Sequence, residues 1–390
     1  MSEWKEYKLG EIADIIPGFA FKSKDFGKVG EYVVKIKDIT PPYININNSD
    51  RVDLAEYDKD KLKKYLLCKN DYVVAMTGAT IGKVGKMKTS ETAYLNQRVA
   101  KIKVKENICD DFVYYSICGD DFQIFIQNNI DSNSAQENIS ANSIGRFPIL
   151  LPPLDEQKRI ASILSSLDDK IDLLNRENAT LEGMAETLFR QWFIEEAKED
   201  WEEGTISDLI DLNPTRRLAK DTIAPFLEMS NLSTSTYAPT YWYDRAFSSG
   251  TKFQNGDTLL ARITPCLENG KTAYVDFLNE DQIGWGSTEF IVMSSKYGLH
   301  PFFSYVVAKY QDFRDYAESC MAGSSGRQRV DVDNLKNYPI SIPDKAIINQ
   351  FNTNIESFVS KMQINNKQIR ALKAQRDILL PNLMSNEIKF

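Results

Sequence analysis

Few residues in this chain have the type and spacing for covalent or metal chemistry. His300 is the one histidine in 390 residues, so a serine–histidine–aspartate triad or a multi-histidine metal site would hang on that side chain alone. It precedes Pro301 in YGLHPFF, which reads as the start of a helix. The five cysteines, Cys68, Cys109, Cys118, Cys266 and Cys320, are odd in number and form no C-x-x-C pair. That usage argues against a zinc site or a disulfide framework and for a reducing, cytoplasmic compartment. PCLENGKT (265–272) ends like a phosphate loop, but Pro265 stands where the loop needs its first glycine. TGATIGKV (77–84) is one residue short before Gly-Lys and lacks the hydroxyl that follows it. Both read as hairpin turns, with Asn269-Gly270 as the strongest turn signal.

Thr40-Pro41-Pro42-Tyr43 is a stiff turn that resembles the D/N/S-P-P-Y segment of amino-methyltransferases. Here Thr40 replaces the usual polar residue, and no glycine-rich cofactor loop follows a strand. What remains is a set of basic, amide and hydroxyl side chains in loops, the types that meet phosphates and base edges. In the first half these are Lys22, Ser23, Lys35, Lys37, Thr77, Thr80, Lys83, Asn96, Gln97 and Arg98. In the second half they are Arg216, Arg217, Arg262, Lys271, Arg327, Gln328 and Arg329. GSSGRQR (323–329) is the best of these segments, a glycine turn carrying two arginines.

The elements that must position these residues occur twice. EWKEYKLGEIADI (3–15) lines up with DWEEGTISDLIDL (200–212), and NDYVVAMTGATIGKVG (70–85) with GDTLLARITPCLENGKT (256–272). QENISANSIGRFPI (136–149) falls on RQRVDVDNLKNYPI (327–340) without a gap. The offset drifts between 186 and 197 and then holds at 191. Each half is thus a globular unit with loop insertions, followed by an element of fixed length. EYVVKIKDI and DYVVAMT read as strands, and 110–129 and 300–320 read as amphipathic helices. This predicts an α+β fold with a twisted, partly barrel-like sheet in each half.

The fixed-length element is a heptad helix. Ile160, Leu164, Leu167, Ile171, Leu174, Asn178, Leu181, Ala185, Leu188 and Trp192 advance in alternating steps of four and three. Phe351, Ile355, Phe358, Met362, Asn365, Ile369, Leu372, Arg376, Leu379 and Leu383 repeat the pattern, and Pro381 is expected to end or kink that helix. Paired antiparallel with facing numbers summing to 543, Asn178 meets Asn365 and small Ala185 meets large Phe358. Arg376 opposite Leu167 is the misfit and is expected to reach to water. The domains are read as 1–151 and 199–342, each followed by a spacer helix at 152–198 and 343–390. The helices should run roughly 45–55 Å. They would hold the two units at opposite ends of a rod, somewhat over one DNA turn of about 34–36 Å.

Charge sets a limit on nucleic-acid binding. The net charge of −8 divides as 0 over 1–150, −4 over 151–198, −7 over 199–341 and +3 over 342–390. No segment is strongly basic, so DNA contact would use local patches or a partner's help. No run of about 18 apolar residues exists, which predicts no membrane span.

PILLPPLDEQKRIASILSSLDDKIDLL with LFRQWF resembles the central spacer of specificity (S) subunits of type I restriction-modification enzymes. VVKIKDI, MTGATIGKVG, LNQRVA and GRFPILLPP resemble the target recognition domains of the same family. The second half departs from the pattern, with IPDKAIINQ for LPPLDEQKR and GSTEFIV for LNQRVAK. The resemblance implies a subunit without a catalytic site. Each recognition domain would read one half of a bipartite, asymmetric site in double-stranded DNA, and the paired helices would set the gap. Modification (M) subunits would dock on the helices and supply S-adenosylmethionine-dependent adenine methylation. Restriction (R) subunits would supply ATP- and magnesium-dependent cleavage, and this chain would bind no cofactor itself. Two other readings are a standalone DNA adenine methyltransferase built on the TPPY segment and a coiled-coil scaffold that binds only protein.

Overall fold

The computed structural model describes residues 4–47, 49–130, 137–296, 298–324 and 326–385. Gln136 and Ser325, each in one of the aligned or glycine-rich segments above, lie outside the described residues. The chain forms two compact units, Met1–Asp169 with Lys373–Phe390, and Lys170–Leu372.

In the first unit, β1 (Lys5–Lys8), β2 (Ala13–Pro17), β3 (Tyr72–Ala75), β4 (Val84–Lys86), β5 (Val99–Val104) and β6 (Pro148–Leu151) carry the framework. β2, β5, β3 and β4 lie side by side in that order, all antiparallel, and the short strands Tyr43–Ile44 and Ile39–Thr40 extend the sheet past β4. A second, five-stranded sheet contains Glu31–Val34 and Ala93–Leu95 as parallel neighbours. The strand expected over EYVVKIKDI therefore stops at Val34, and Ile36–Asp38 is a 3-10 turn. The helical stretch 110–129 is likewise two helices, α1 (Asp110–Cys118) and Asp120–Asn128. Gly119 between them is extended, at φ −78° and ψ 165°.

The helix α2 (Leu154–Phe189) begins after Pro152 and Pro153, with Asp155 and Glu156 at the positive end of its dipole. Gln157, almost fully buried, joins it to the domain. Its Oε1 accepts from the backbone N–H of Cys109, and its Nε2 donates to the Pro152 carbonyl. The last turn changes to π-helix over Arg190–Glu195, within LFRQWFIE.

The second unit repeats the plan with β7 (Glu202–Thr205), β8 (Ile210–Leu212), β9 (Thr258–Ala261), β10 (Thr272–Tyr274), β11 (Phe290–Ser295) and β12 (Pro339–Ile342). β8, β11, β9 and β10 take the places of β2, β5, β3 and β4. The pairings coincide residue by residue: Lys5 opposite Leu151 becomes Glu202 opposite Ile342, and Ile15 opposite Ile102 becomes Leu212 opposite Met293. The stretch 300–320 holds two helices, α3 (Phe303–Lys309) and Gln311–Ser319, with Tyr310 extended between them. The helix α4 (Lys345–Met384) continues three residues beyond Pro381 instead of ending there. Pro381 has no N–H to return to the Asp377 carbonyl, and the Ser385 N–H closes the end of the helix on the Pro381 carbonyl.

Both long helices contribute to each unit, and in each unit their contacts follow one register. In the second unit Asn365 Nδ2 donates to Asn178 Oδ1 at 2.9 Å and to Glu177 Oε2 at 3.0 Å. Asn178 Nδ2 donates to Asn366 Oδ1 at 3.2 Å. Asn365 is fully buried, and Ile171, Leu174, Ile369 and Leu372 pack beside the amides. In the first unit Leu164 and Leu379 share the core. Arg376, expected to reach water, instead pairs with buried Asp168 at 3.0 Å, one place beyond Leu167. Tyr115 of α1 donates its hydroxyl to the same carboxylate. Among the described residues, no helix is long and apolar enough to cross a membrane.

Glu182 fastens α2 to the domain of the second unit. Its Oε1 accepts from the Tyr237 N–H at 3.1 Å and its Oε2 from the Tyr305 hydroxyl at 2.9 Å. Burial outweighs these bonds and pushes its carboxyl up to about 7. The folded state therefore holds a proton that the unfolded chain, near 4.5, has released. This contribution is present below pH 4.5 and is lost as pH rises through 7. Glu182→Gln should remove that loss. Urea denaturation should show the variant gaining on the native chain by up to about 3 kcal/mol between pH 5 and pH 8.

Candidate nucleic-acid interface

Backbone hydrogen bonds bring several of the candidate residues of each half together at one end of its sheet, whereas Arg216 meets Asp257 and Ser294 at the other end of β9 and β11. In the first unit the Met76 N–H donates to the Arg98 carbonyl, the Ile139 N–H to Met76, and the Gly78 N–H to Glu137. Gly18 and Phe19 donate to Val99 and Leu95, and Asn96 donates to Val34. The loops carrying Lys22 and Ser23, Lys35, Thr77 and Thr80, and Asn96 to Arg98 are thus adjacent. Gly18 makes the close approach possible: a Cβ there would lie 2.1 Å from the Asn96 carbonyl oxygen.

The second unit repeats this frame. The Arg262 N–H donates to Glu289, the Val330 N–H to Arg262, and the Thr264 N–H to Gln328. Thr77 bridges Asn138 where Ile263 bridges Arg329. The repeat offsets of 186 and 191 map these three hydrogen bonds onto those of Met76, Ile139 and Gly78. The backbone is the same, and the side chains on it differ.

The candidates divide by what already holds them. Lys22, Ser23, Lys83, Gln97, Arg98, Arg217 and Arg327 are exposed, and Asn96 and Gln328 are half-buried. Lys35 and Lys37 both reach Asp50, at 2.7 and 3.3 Å, and the Lys35 hydrogen bond holds that carboxyl below its usual range. The hydroxyls of Thr77 and Thr80 are buried with no partner among the described residues. Lys271 donates to the Met229 carbonyl, and Arg262 donates through Nη2 to the Val330 carbonyl. Arg216 meets Asp257 at 2.6 Å, and Asp257 is 1% exposed. Arg329 grips Glu289 through Nε and Nη2 at 2.7–2.9 Å.

Two positions were missed. Glu289 lies at the place of Arg98 and Asn138 at the place of Arg329, and the constant offset of 191 contained both matches. The other chemical candidates have structural surroundings. His300 Nδ1 accepts from the Phe302 N–H, so its Nε2 faces Glu356 as a donor at 3.1 Å. Thr40 to Tyr43 turn between two short strands, and the Pro42 carbonyl accepts from the Lys86 N–H and the Tyr114 hydroxyl. Asn269-Gly270 closes a longer connection between β9 and β10, with Gly270 at φ +72°. Among the described residues, no group of three or more His, Cys, Asp or Glu side chains could hold a metal ion.

A family model described as the type I restriction modification DNA specificity domain matches residues 1–183 and again 198–374. The chain belongs to this family. It is 22% identical to the MjaIX specificity subunit of Methanocaldococcus jannaschii, over 99% of this chain and 94% of that one. It is 31% identical to the EcoBI specificity subunit of Escherichia coli, over 48% of this chain and 37% of that one. The crystal structure of a type I S subunit from M. genitalium shares the fold, with a TM-score of 0.55 at 15% identity over 98% of this chain and 96% of that one. The family match falls once on each half, as the repeated hydrogen-bond frame does.

Arg216 and Arg217 should separate in experiment. Burial raises the Asp257 carboxyl even with Arg216 beside it, so removing the guanidinium leaves a buried charge without its partner. Arg216→Ala should cost about 3 kcal/mol or more in urea denaturation. Exposed Arg217→Ala should stay within about 0.5 kcal/mol.

Proposed function

We propose that this chain is the non-catalytic, cytoplasmic DNA-recognition subunit of a type I restriction-modification complex. Each α+β domain reads one half of a bipartite site in double-stranded DNA. The observation that carries the reading is the duplicated hydrogen-bond frame with different side chains on each copy. Two equal frames give two readers of one design, and unequal side chains give two different half-sites. Of the candidate readers, Lys22, Ser23, Lys83, Asn96, Gln97, Arg98, Arg217, Arg327, Gln328 and Arg329 have the exposure for this role. Arg216 and Lys271 support the scaffold that carries them.

Affinity would come partly from partners, since no segment of the chain has a strong basic surplus. The paired helices are the docking element for the M subunits, which bring S-adenosylmethionine. The R subunits bring ATP and magnesium.

In this reading the helices set the unread gap and the domains set the half-sites. Deleting the facing heptads 169–175 and 368–374 keeps Asp168, Arg376, Asn178 and Asn365 in their pairings. It shortens each helix by about 10 Å, equivalent to about three base pairs at 3.4 Å per step. Methylome sequencing of a host carrying the shortened chain and its M subunit should show unchanged half-sites and a gap about three base pairs shorter. Altered half-sites with an unchanged gap would refute this division of labour.

A further inference from the structure

The Arg329–Glu289 pair differs from an ordinary surface ion pair in its geometry. Arg329 engages both carboxylate oxygens through its side edge, Nε and Nη2. That leaves one hydrogen of Nη1 and one of Nη2 directed along the end edge, and no described residue accepts them. The arginine side chain is 46% exposed and the glutamate 22%. A cavity of about 460 Å³ opens beside Arg329, lined also by Asn213, Arg262, Asp331 and Asp333. The backbone of Arg329 is fixed by its bridge to Ile263, and that of Glu289 by the bond from Arg262.

We propose that Glu289 and Arg329 form a preset guanine reader in the second domain, with Glu289 as the positioning residue and the free edge of Arg329 meeting guanine O6 and N7. This rests on the DNA-recognition reading above and names one contact within it. Arginine bidentate to those two acceptors is the commonest specific base contact, and it requires a planar, oriented guanidinium. Glu289 supplies that orientation before DNA arrives, which reduces the ordering cost of binding. A phosphate is the poorer ligand here. Its oxygens would approach a guanidinium already neutralised by a carboxylate, and would be repelled by that carboxylate.

The pseudo-symmetric positions sharpen the assignment. In the first domain the place of Glu289 holds Arg98 and the place of Arg329 holds Asn138. The arginine there rises from the turn before β5, on the other side of the same frame, and it makes no ion pair among the described residues. The two domains would therefore place their arginines at different points along a half-site. One frame can then yield an asymmetric recognition sequence.

The test uses the full chain assembled with its M subunits, reading methylated motifs and binding to the motif and its single-base variants. The half-site assigned to the second domain should contain a guanine whose discrimination falls roughly 5- to 150-fold in Arg329→Ala. The other half-site should be unchanged. Glu289→Gln should weaken discrimination at that same position by a smaller factor, with thermal melting unchanged, since a surface ion pair contributes little to stability. Equal loss of affinity for all sequences, with a salt dependence shallower by about one ion, would make Arg329 a phosphate contact and overturn the proposal. A bipartite motif that Arg329→Ala leaves intact overturns it alone. A native complex with no bipartite motif overturns it together with the reading it rests on.

Discussion

The buried amide lock between the two long helices is the constraint on which the rest depends. A heptad seam by itself is indifferent to slips of seven residues, because apolar side chains accept one another in any matching register. A slip of one heptad would set Asn178 opposite Phe358 or Leu372. Each buried amide would then lose its partner, at about 1–3 kcal/mol apiece. In the observed register Asn178, Asn365, Asn366 and Glu177 are joined by hydrogen bonds across the two helices. The lock is not fully satisfied, because Asn365 Oδ1 and Asn366 Nδ2 are buried with no partner among the described residues. Specificity of register is bought here with polar burial, and the aliphatic pairs around it supply the stability.

Around the lock, each domain is tied to α2 by a buried carboxylate and a tyrosine. Asp168 takes the Tyr115 hydroxyl in the first unit, and Glu182 takes the Tyr305 hydroxyl in the second. The two ties differ in charge balance. Arg376 compensates Asp168, whereas Glu182 has only hydrogen bonds and the field of Lys309. The attachment of the second domain therefore responds to pH near neutrality. The candidate interface residues lie on a backbone frame that the two units share, while the sheets around it differ in strand number. A scaffold of this kind can change what it reads without changing how it is held.

Much of this was legible in the sequence because it is periodic or duplicated. The heptad steps place Asn178 against Asn365, and the drifting offset separates the insertion-bearing part of each half from the part of constant length. What periodicity does not encode is which polar side chains are already engaged. Arg216 and Arg217 are neighbours of one type, yet one is held by Asp257 and the other is exposed. Arg376 looked like a misfit because its partner, Asp168, sits just off the seam. The break at Gly119 and the passage of α4 beyond Pro381 are local backbone events that tertiary packing decides. Glu289 is marked in the sequence only by its match to Arg98 at the offset of 191, and its part becomes visible only through the arginine it holds.

The most direct measurement is a cysteine cross-linking comparison in the full chain. Leu174→Cys with Ile369→Cys joins positions whose side chains share a cluster beside the amides. Leu174→Cys with Met362→Cys joins the positions that would face each other after a slip of one heptad. Oxidation followed by mass spectrometry of the digest distinguishes either bridge from one involving exposed Cys68. The account predicts a bridge in the first variant and little in the second. Equal bridging in both, or a preference for the second, would contradict the locked register.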